Sequence, residues 1–97
     1  MNYQNDILPN NAIKVGATTT MNEKTVLPGL LKNHATTKGR YGFLVVETGS
    51  LQFVWEEGNI VLDADADHPI VIFPEKRHHL RFVGNVTFRV EFYEIKS

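Results

Sequence analysis

The hydrophobic and polar positions of this chain alternate over short stretches, which is the period of β-strands with one buried face. Helical spacing is nearly absent: only residues 23–32 approach it, and Pro28-Gly29 interrupts that stretch. Short runs of apolar, β-branched and aromatic residues predict strands over 13–17, 30–34, 43–47, 51–55, 60–62, 70–73, 79–83 and 86–93. Many short strands separated by turns predict an all-β sandwich or barrel with an antiparallel sheet.

Glycine, proline and acidic residues mark the predicted turns. Thr48-Gly49 and Glu57-Gly58 each predict a tight hairpin turn, and Gly84-Asn85 joins the last two strands. Pro74 ends the strand at 70–73, because proline cannot donate to a sheet. Residues 63–67 alternate aspartate with alanine and predict a solvated turn, since they lack the glycine and distal glutamate of a calcium-binding loop.

Length and composition indicate one globular domain: the chain has 97 residues, of which 42% are hydrophobic and 22% charged. We predict a loosely ordered arm over residues 1–11 and a single domain over 12–97. The net charge is −1 with no basic stripe, so we expect no nucleic-acid partner. The absence of cysteine excludes disulfides and thiolate metal sites. We expect no membrane partner and a cytoplasmic location, because the sequence has neither a long apolar run nor a signal-peptide pattern.

Alternation assigns side chains to faces of the predicted strands. In the last strand the apolar side chains share one face: Phe88, Val90 and Phe92. The polar side chains share the other face: Arg89, Glu91 and Tyr93. In the strand before it, His78 is in phase with the apolar Leu80 and Phe82. We therefore expect His78 to point into the core and His79 to point to solvent.

Two histidines form the candidate metal site of this sequence. Neutral imidazole is the commonest metal ligand, and His34 and His78 on separate strands can converge inside a barrel. Glu91 is a candidate third ligand, and zinc, iron, manganese and nickel are the candidate ions. A single histidine is more often a packed or surface residue than a ligand, so packing is the alternative for each.

A second set of residues is a candidate for holding a small molecule or oxyanion. Arg77 can pair with an oxyanion through its planar guanidinium, although a surface arginine is the more frequent role. Tyr41, Tyr93 and Glu91 become orienting groups for a ligand if they face a pocket. No nucleophile elbow or phosphate loop is present, and Ser50 lies in a predicted turn, which argues against a serine hydrolase.

Several blocks of the sequence together resemble a known family. Leu27-Pro28, His34 with 36–38 (TTK), and 44–53 (LVVETGSLQF) resemble the small cupin-like domain of tellurite-resistance proteins. Residues 73–78 (FPEKRH) resemble the second signature of that domain, and 90–93 (VEFY) resemble its last strand. The resemblance covers about residues 13–94, and the family includes the N-terminal domain of TehB and stand-alone YeaR-like proteins.

The resemblance implies a cupin-type double-stranded β-helix, or jelly-roll barrel, that forms a homodimer. It also implies a role in tellurite or oxyanion stress. In TehB the methyl transfer belongs to a separate domain, and this sequence ends at Ser97, so we expect no methyltransferase activity. The resemblance further implies a metal pattern in which His34 takes the first position and His78 the last. Thr36 stands in place of the second histidine, and Arg40 and Tyr41 stand near the expected glutamate.

Three functions follow from these observations. The first is a non-catalytic binding protein that holds a metal ion or small anion in the barrel through His34, His78 and Arg77. The second is a metal-dependent enzyme of the oxygenase or isomerase type using His34 and His78; the two missing ligands count against it. The third is an interaction module whose aromatic residues are simply core.

Overall fold

The computed structural model describes residues 2–26 and 35–95, and regular structure in them is almost entirely β-strand. The strands are β1 (Ala12–Ala17), β2 (Met21–Asn22), β3 (Arg40–Trp55), β4 (Ile60–Asp65), β5 (Ile70–Ile72) and β6 (His78–Ile95). One short 3-10 turn, Glu57–Asn59, links β3 to β4. Every strand pairing is antiparallel, so the prediction of an all-β antiparallel protein is confirmed. Among residues 2–26 and 35–95, no helix is long and apolar enough to cross a membrane.

The two long strands β3 and β6 form the centre of the six-stranded sheet. They pair from Arg40↔Glu94 at one end to Trp55↔His78 at the other. The free edge of β3 is shared by β5, which pairs with its first half, and β4, which pairs with its second half. Strands β1 and β2 pair with the other edge of β6. In the described part of the chain these pairings run from β1 to β4 without closing into a barrel.

The prediction of a hairpin turn at Thr48-Gly49 is wrong, because these residues lie inside β3. The β3–β6 register shifts between Val46 and Thr48 and again between Gly49 and Leu51, which is the signature of bulges that bend a strand. Gly84-Asn85 likewise lies inside β6 rather than between two strands. The glycine at position 49 is required there: its φ is 75°, and a Cβ would come within 2.2 Å of the Asn85 carbonyl oxygen.

Other predicted boundaries agree better with the structure. The turn at Glu57-Gly58 does connect two antiparallel strands, β3 and β4. The strand before Pro74 is observed as β5. Strand β4 extends through Asp65, so the turn predicted at 63–67 begins later than expected. The strand predicted at 30–34 lies outside the described residues.

The core lies on the face of the sheet that alternation assigned to the apolar side chains. Phe88 and Val90 are buried in it, and Phe92 is partly buried against it, as predicted. His78 is only 1% exposed, which confirms that it points inward. The buried cluster consists of Met21, Val26, Leu44, Val46, Leu51, Phe53, Leu62, Ala64, Ile70, Ile72, Leu80, Val86, Phe88 and Val90.

The start of the N-terminal arm runs beside β4 and β5. The Asp63 backbone N–H donates to the Asn2 carbonyl oxygen at 2.8 Å, and the Asn2 side chain donates to the Val61 carbonyl oxygen at 2.7 Å. The Gln4 amide both donates to the Val71 carbonyl oxygen and accepts from the Val71 N–H, at 2.9 and 2.6 Å. These contacts fix where the arm lies, while the predicted looseness of residues 1–11 stays a prediction.

Candidate functional site

His78 lies in a group of aromatic rings where the end of β3 meets the start of β6. Its imidazole stacks on Phe53, with ring centroids 4.9 Å apart and planes inclined by 22°. Trp55 stands edge-on to the same imidazole at 5.7 Å and edge-on to Phe53 at 4.9 Å. The imidazole Nδ1 lies 3.2 Å from the Lys76 carbonyl oxygen, so Nδ1 carries the proton if this contact is a hydrogen bond. The arrangement makes His78 part of the packed end of the core.

A cleft of about 520 Å³ opens beside this aromatic group. We name it the aromatic cleft; the side chains that matter to its chemistry are Trp55, Phe73, Lys76, Arg77, Asp6 and Glu57. The Trp55 and Phe73 rings lie 6.1 Å apart. The Lys76 ammonium stands 5.2 Å from the Phe73 ring centroid and 6.0 Å from that of Trp55, within cation–π range of both. The cleft therefore has aromatic walls with a positive charge close to them.

The loop at 73–77, which supplies both cations of the cleft, is held at two points by backbone hydrogen bonds. The Glu75 N–H donates to the Thr36 carbonyl oxygen, and the Glu56 N–H donates to the Arg77 carbonyl oxygen, each at 3.0 Å. Glu75 adopts a positive φ of 65°, an uncommon conformation for a residue with a side chain. This path sends the chain from β5 back to the start of β6 and brings Lys76 and Arg77 to the rim.

The cleft contains charges of both signs. Arg77 and Lys76 are exposed, and within residues 2–26 and 35–95 neither side chain forms a hydrogen bond or ion pair. Asp6 from the arm and Glu57 from the 3-10 turn also line the cleft. Among the described residues, the lining thus contains two cations and two carboxylates beside the aromatic rings. The cations are available to a ligand, and the carboxylates limit how much negative charge the cleft accepts.

Glu91 and Tyr93 lie together in a different place, on the face of the sheet opposite the core. The Tyr93 hydroxyl donates to Glu91 Oε1 at 2.8 Å, and Arg89 donates to Glu91 Oε2 through Nη2 at 2.9 Å. Arg89 also donates to Glu47 at 3.1 Å, and Lys14 lies 3.6 Å from Glu91. We call these five residues the glutamate network. Its groups satisfy one another, so it is a stabilising cluster rather than an open ligand site.

The charges of the glutamate network shift the pKa values of its members. Burial alone would raise the pKa of Glu91, but hydrogen bonds from Tyr93 and Arg89, with the nearby charge of Lys14, hold it below its ordinary value. The hydrogen bond to Glu91 raises the pKa of Tyr93. Hydrogen bonds to Glu91 and Glu47 raise the pKa of Arg89. Glu91 is therefore held as a carboxylate and Arg89 as a guanidinium.

Those predicted metal and ligand residues that the structure describes are not gathered into one site. His78 and Arg77 lie next to the aromatic cleft, while Glu91 belongs to the glutamate network. Tyr41 stands edge-on to Phe73 at 6.0 Å, behind a wall of the cleft. His34 lies outside the described residues. Within the ranges 2–26 and 35–95, no group of three or more His, Asp or Glu side chains is placed to hold a metal ion.

Sequence reasoning named some of the cleft residues and missed others. Arg77 was named for its chemistry, whereas Trp55 and Phe73 were only placed in the predicted strands 51–55 and 70–73. Lys76 and Asp6 were not identified as site residues. A signal for Lys76 exists, since it precedes Arg77 directly and follows an aromatic residue by three positions. No local signal links Asp6 to a loop some 70 positions away.

The chain is similar to a family described as the TehB-like domain, which matches residues 17–90. A comparison with curated proteins found no match.

Two solved structures share the fold. A protein from E. coli (strain K12) superposes with a TM-score of 0.83 at 22% identity, covering 94% of this chain and 98% of that one. TehB from Haemophilus influenzae superposes with a TM-score of 0.81 at 20% identity, covering 89% of this chain and 32% of TehB. The chain therefore corresponds to about a third of that TehB protein.

Proposed function

This chain belongs to the TehB-like domain family, which is related to tellurite-resistance proteins, and from that premise we propose that it is a non-catalytic binding domain that holds a small anion in the aromatic cleft. The role falls in the tellurite or oxyanion stress response. A non-catalytic role is favoured because the glutamate network is paired internally and His78 is packed among rings.

The observation that carries this proposal is the pair of cations at the cleft. Lys76 and Arg77 line it, and in the described part of the chain neither side chain is neutralised by an ion pair. A guanidinium with an open fork binds a carboxylate or oxyanion through two parallel hydrogen bonds. The cleft volume of about 520 Å³ lies within the roughly 300–1,000 Å³ of small-molecule sites.

The proposal includes a cupin-type jelly-roll architecture and a cytoplasmic homodimer. The bends in β3 and β6 support the first part, because each long strand takes part in two successive sheet regions. The β1 edge supports the second, since Ile13 and Val15 are 47% and 49% exposed there. Light scattering over a concentration series that gives only the monomer mass would overturn the dimer.

Fluorescence of Trp55, the chain's single tryptophan, tests anion binding directly in the cleft. The titrants are selenite, tellurite, sulfate and the organic anion benzoate at constant ionic strength. We expect at least one to give a saturable change, strongly weakened in Arg77→Gln and kept in Arg81→Gln. Arg81 is a matched control, because it is an exposed arginine four positions further along the chain that does not line the cleft. An equal effect of both substitutions, or no saturable change, would overturn the proposal.

The alternative, a metal-dependent enzyme, is tested separately. It requires a divalent ion such as zinc, iron, manganese or nickel, held by His34 and His78. Mass spectrometry of untagged protein and of the His34→Ala/His78→Ala double variant measures this ion directly. Near-stoichiometric metal that disappears in the double variant would favour the enzyme, and folded protein without metal in either sample would leave the anion-binding proposal.

A further inference from the structure

We propose that the aromatic cleft takes an organic monoanion with a flat unsaturated ring, of the aromatic carboxylate class. This inference rests on the proposed function, because it names the ligand of the same cleft. It follows from four features of the cleft: its volume, its walls, its balance of charges and the position of Lys76.

The volume of the cleft is large for an inorganic oxyanion. One water takes roughly 30 Å³ in the liquid, and an oxyanion of four or five heavy atoms takes on the order of two to three times that volume. The cleft measures about 520 Å³. An inorganic ion at Arg77 would leave most of the aromatic wall facing water, whereas a ligand carrying a ring would cover it.

The walls of the cleft are aromatic, and each wall also packs against further rings. Trp55 packs edge-on against Phe53 at 4.9 Å and against His78 at 5.7 Å. Phe73 packs edge-on against Tyr41 at 6.0 Å. Each wall is therefore held in place before a ligand arrives, and aromatic rings favour an offset or edge-on contact with another ring.

The charges of the cleft favour one negative charge on the ligand. Lys76 and Arg77 supply two positive charges, and Asp6 and Glu57 supply two negative ones. A carboxylate can approach the Arg77 fork while its ring lies against the aromatic wall. A dianion such as a phosphate ester is attracted twice as strongly by the cations and repelled twice as strongly by the carboxylates, so the balanced lining gives it little extra attraction. Its desolvation cost is several times larger than that of a monoanion, which leaves the monoanion favoured.

The Lys76 ammonium lies close to both aromatic walls. Its ammonium stands 5.2 Å from the Phe73 centroid and 6.0 Å from the Trp55 centroid. A carboxylate bound to this ammonium must lie close to both rings. The ring carried by that carboxylate is thereby directed along the aromatic wall, which explains why the cations and the rings share one cleft.

NMR titration of the Trp55 indole N–H compares four probes: benzoate, cyclohexanecarboxylate, phenyl phosphate and selenite. Benzoate and cyclohexanecarboxylate share a carboxylate and nearly the same size, but only benzoate is flat and unsaturated. We expect benzoate to bind roughly two- to tenfold more tightly than cyclohexanecarboxylate, the range given by an aromatic pair. We expect phenyl phosphate, mostly a dianion at pH 8, to bind more weakly than benzoate. Equal binding of the two carboxylates, or tighter binding of phenyl phosphate, would overturn the inference.

Two substitutions sharpen the test. Phe73→Leu keeps an apolar wall without a ring and should reduce the preference for benzoate, because only the Trp55 ring remains. Asp6→Asn removes one carboxylate from an exposed segment and should improve phenyl phosphate binding more than benzoate binding. Asp67→Asn, an exposed aspartate that does not line the cleft, is the matched control and should change neither.

The outcomes separate this inference from the proposed function. If none of the four probes shifts the indole signal in folded protein, anion binding in the cleft fails as a whole. If selenite and cyclohexanecarboxylate bind through Arg77 as well as benzoate does, the cleft binds anions and only the ring preference fails.

Discussion

Trp55 and His78 are directly opposed across the β3–β6 ladder, with the indole edge-on to the imidazole at a centroid distance of 5.7 Å. His78 is buried, and Phe53 stacks on its ring from another side. The imidazole therefore acts first as a flat packing element beneath the wall of the aromatic cleft. Any further role of His78 has to be separated experimentally from this packing role.

Substitution of His78 tests the packing role. His78→Ala leaves a cavity among aromatic rings and should lower the free energy of unfolding by about 2–4 kcal/mol. His78→Phe keeps a ring but loses the hydrogen bond to Lys76, so we expect a smaller loss of about 1 kcal/mol. Urea denaturation measures both values. Equal losses for the two variants would show that the imidazole nitrogens, rather than the ring, stabilise this end of the core.

The bulge at Gly49 gives a second prediction, and Gly39 is its matched control. Gly49 and Gly39 have nearly the same φ, 75° and 79°, so alanine carries the same left-handed strain at both. A Cβ at Gly49 would lie 2.2 Å from the Asn85 carbonyl oxygen, whereas a Cβ at Gly39 meets nothing within 4 Å. We expect Gly39→Ala to cost about 1 kcal/mol and Gly49→Ala at least about 1 kcal/mol more. If thermal or urea unfolding gave the same loss of stability for both variants, β6 would have to shift away from the new Cβ at position 49 without an energetic cost.

The same bulge shows how far the sequence alone can predict this fold. The alternation of hydrophobic and polar positions identified the strands on both sides of Thr48-Gly49, and it placed Phe88 and His78 on the buried face. It could not distinguish a hairpin from a bulge, because both need a residue with positive φ between two strand segments. Whether Thr48-Gly49 forms a hairpin or a bulge depends on whether β6 continues to pair with β3 past these residues. That pairing joins segments far apart in the sequence, so the local pattern does not reveal it.

The candidate site shows the same limit. Arg77 was identified from its chemistry, because a planar guanidinium can pair with an oxyanion. Asp6 could not be identified, since its place in the cleft depends on the arm running along β4 and β5. Glu91 had the right chemistry for a ligand, but Arg89 and Tyr93 satisfy its oxygens. Alternation had placed these three side chains on one face, but it could not show that they pair with one another rather than face a pocket.

Glu91 should make the stability of the protein depend on pH. Its folded pKa lies below the ordinary value of 4.5. The stabilisation is therefore complete above about that pH and is lost as the pH falls through the folded pKa. Glu91→Gln should cost about 1–3 kcal/mol at pH 7 and should flatten this part of the stability curve. Urea denaturation between pH 3 and pH 7 measures both effects.

Glu94 provides the matched control for Glu91. It also accepts a hydrogen bond from an arginine, Arg40, at 3.1 Å, but its side chain is 49% exposed. We expect Glu94→Gln to cost less than about 1 kcal/mol, because solvent screens an exposed pair. A pH dependence that is unchanged in Glu91→Gln and reduced in Glu94→Gln would contradict the assignment.

The attachment of the N-terminal arm gives the last prediction. The Tyr3 ring lies flat on His68, with centroids 3.5 Å apart, and His68 Nδ1 is 2.7 Å from Asp65 Oδ1. The hydrogen bond to His68 is the largest cause that holds the pKa of Asp65 below its ordinary 3.8. Ionised Asp65 therefore stabilises the folded state above about that pH, and this stabilisation is lost as the pH falls through the folded pKa. We expect acid to release the arm for this reason.

Amide exchange reports the release of the arm at a defined atom. The Val71 N–H donates to the Gln4 side chain at 2.6 Å, so its protection depends on the arm being in place. Tyr3→Ala and His68→Ala should lower that protection at pH 7, and acid should lower it in the parent protein. His79→Ala removes a comparable imidazole that pairs with Glu56 at 3.0 Å, and it should leave Val71 protected. Equal loss of protection in His68→Ala and His79→Ala would contradict a specific attachment, because it would indicate general loosening of the sheet.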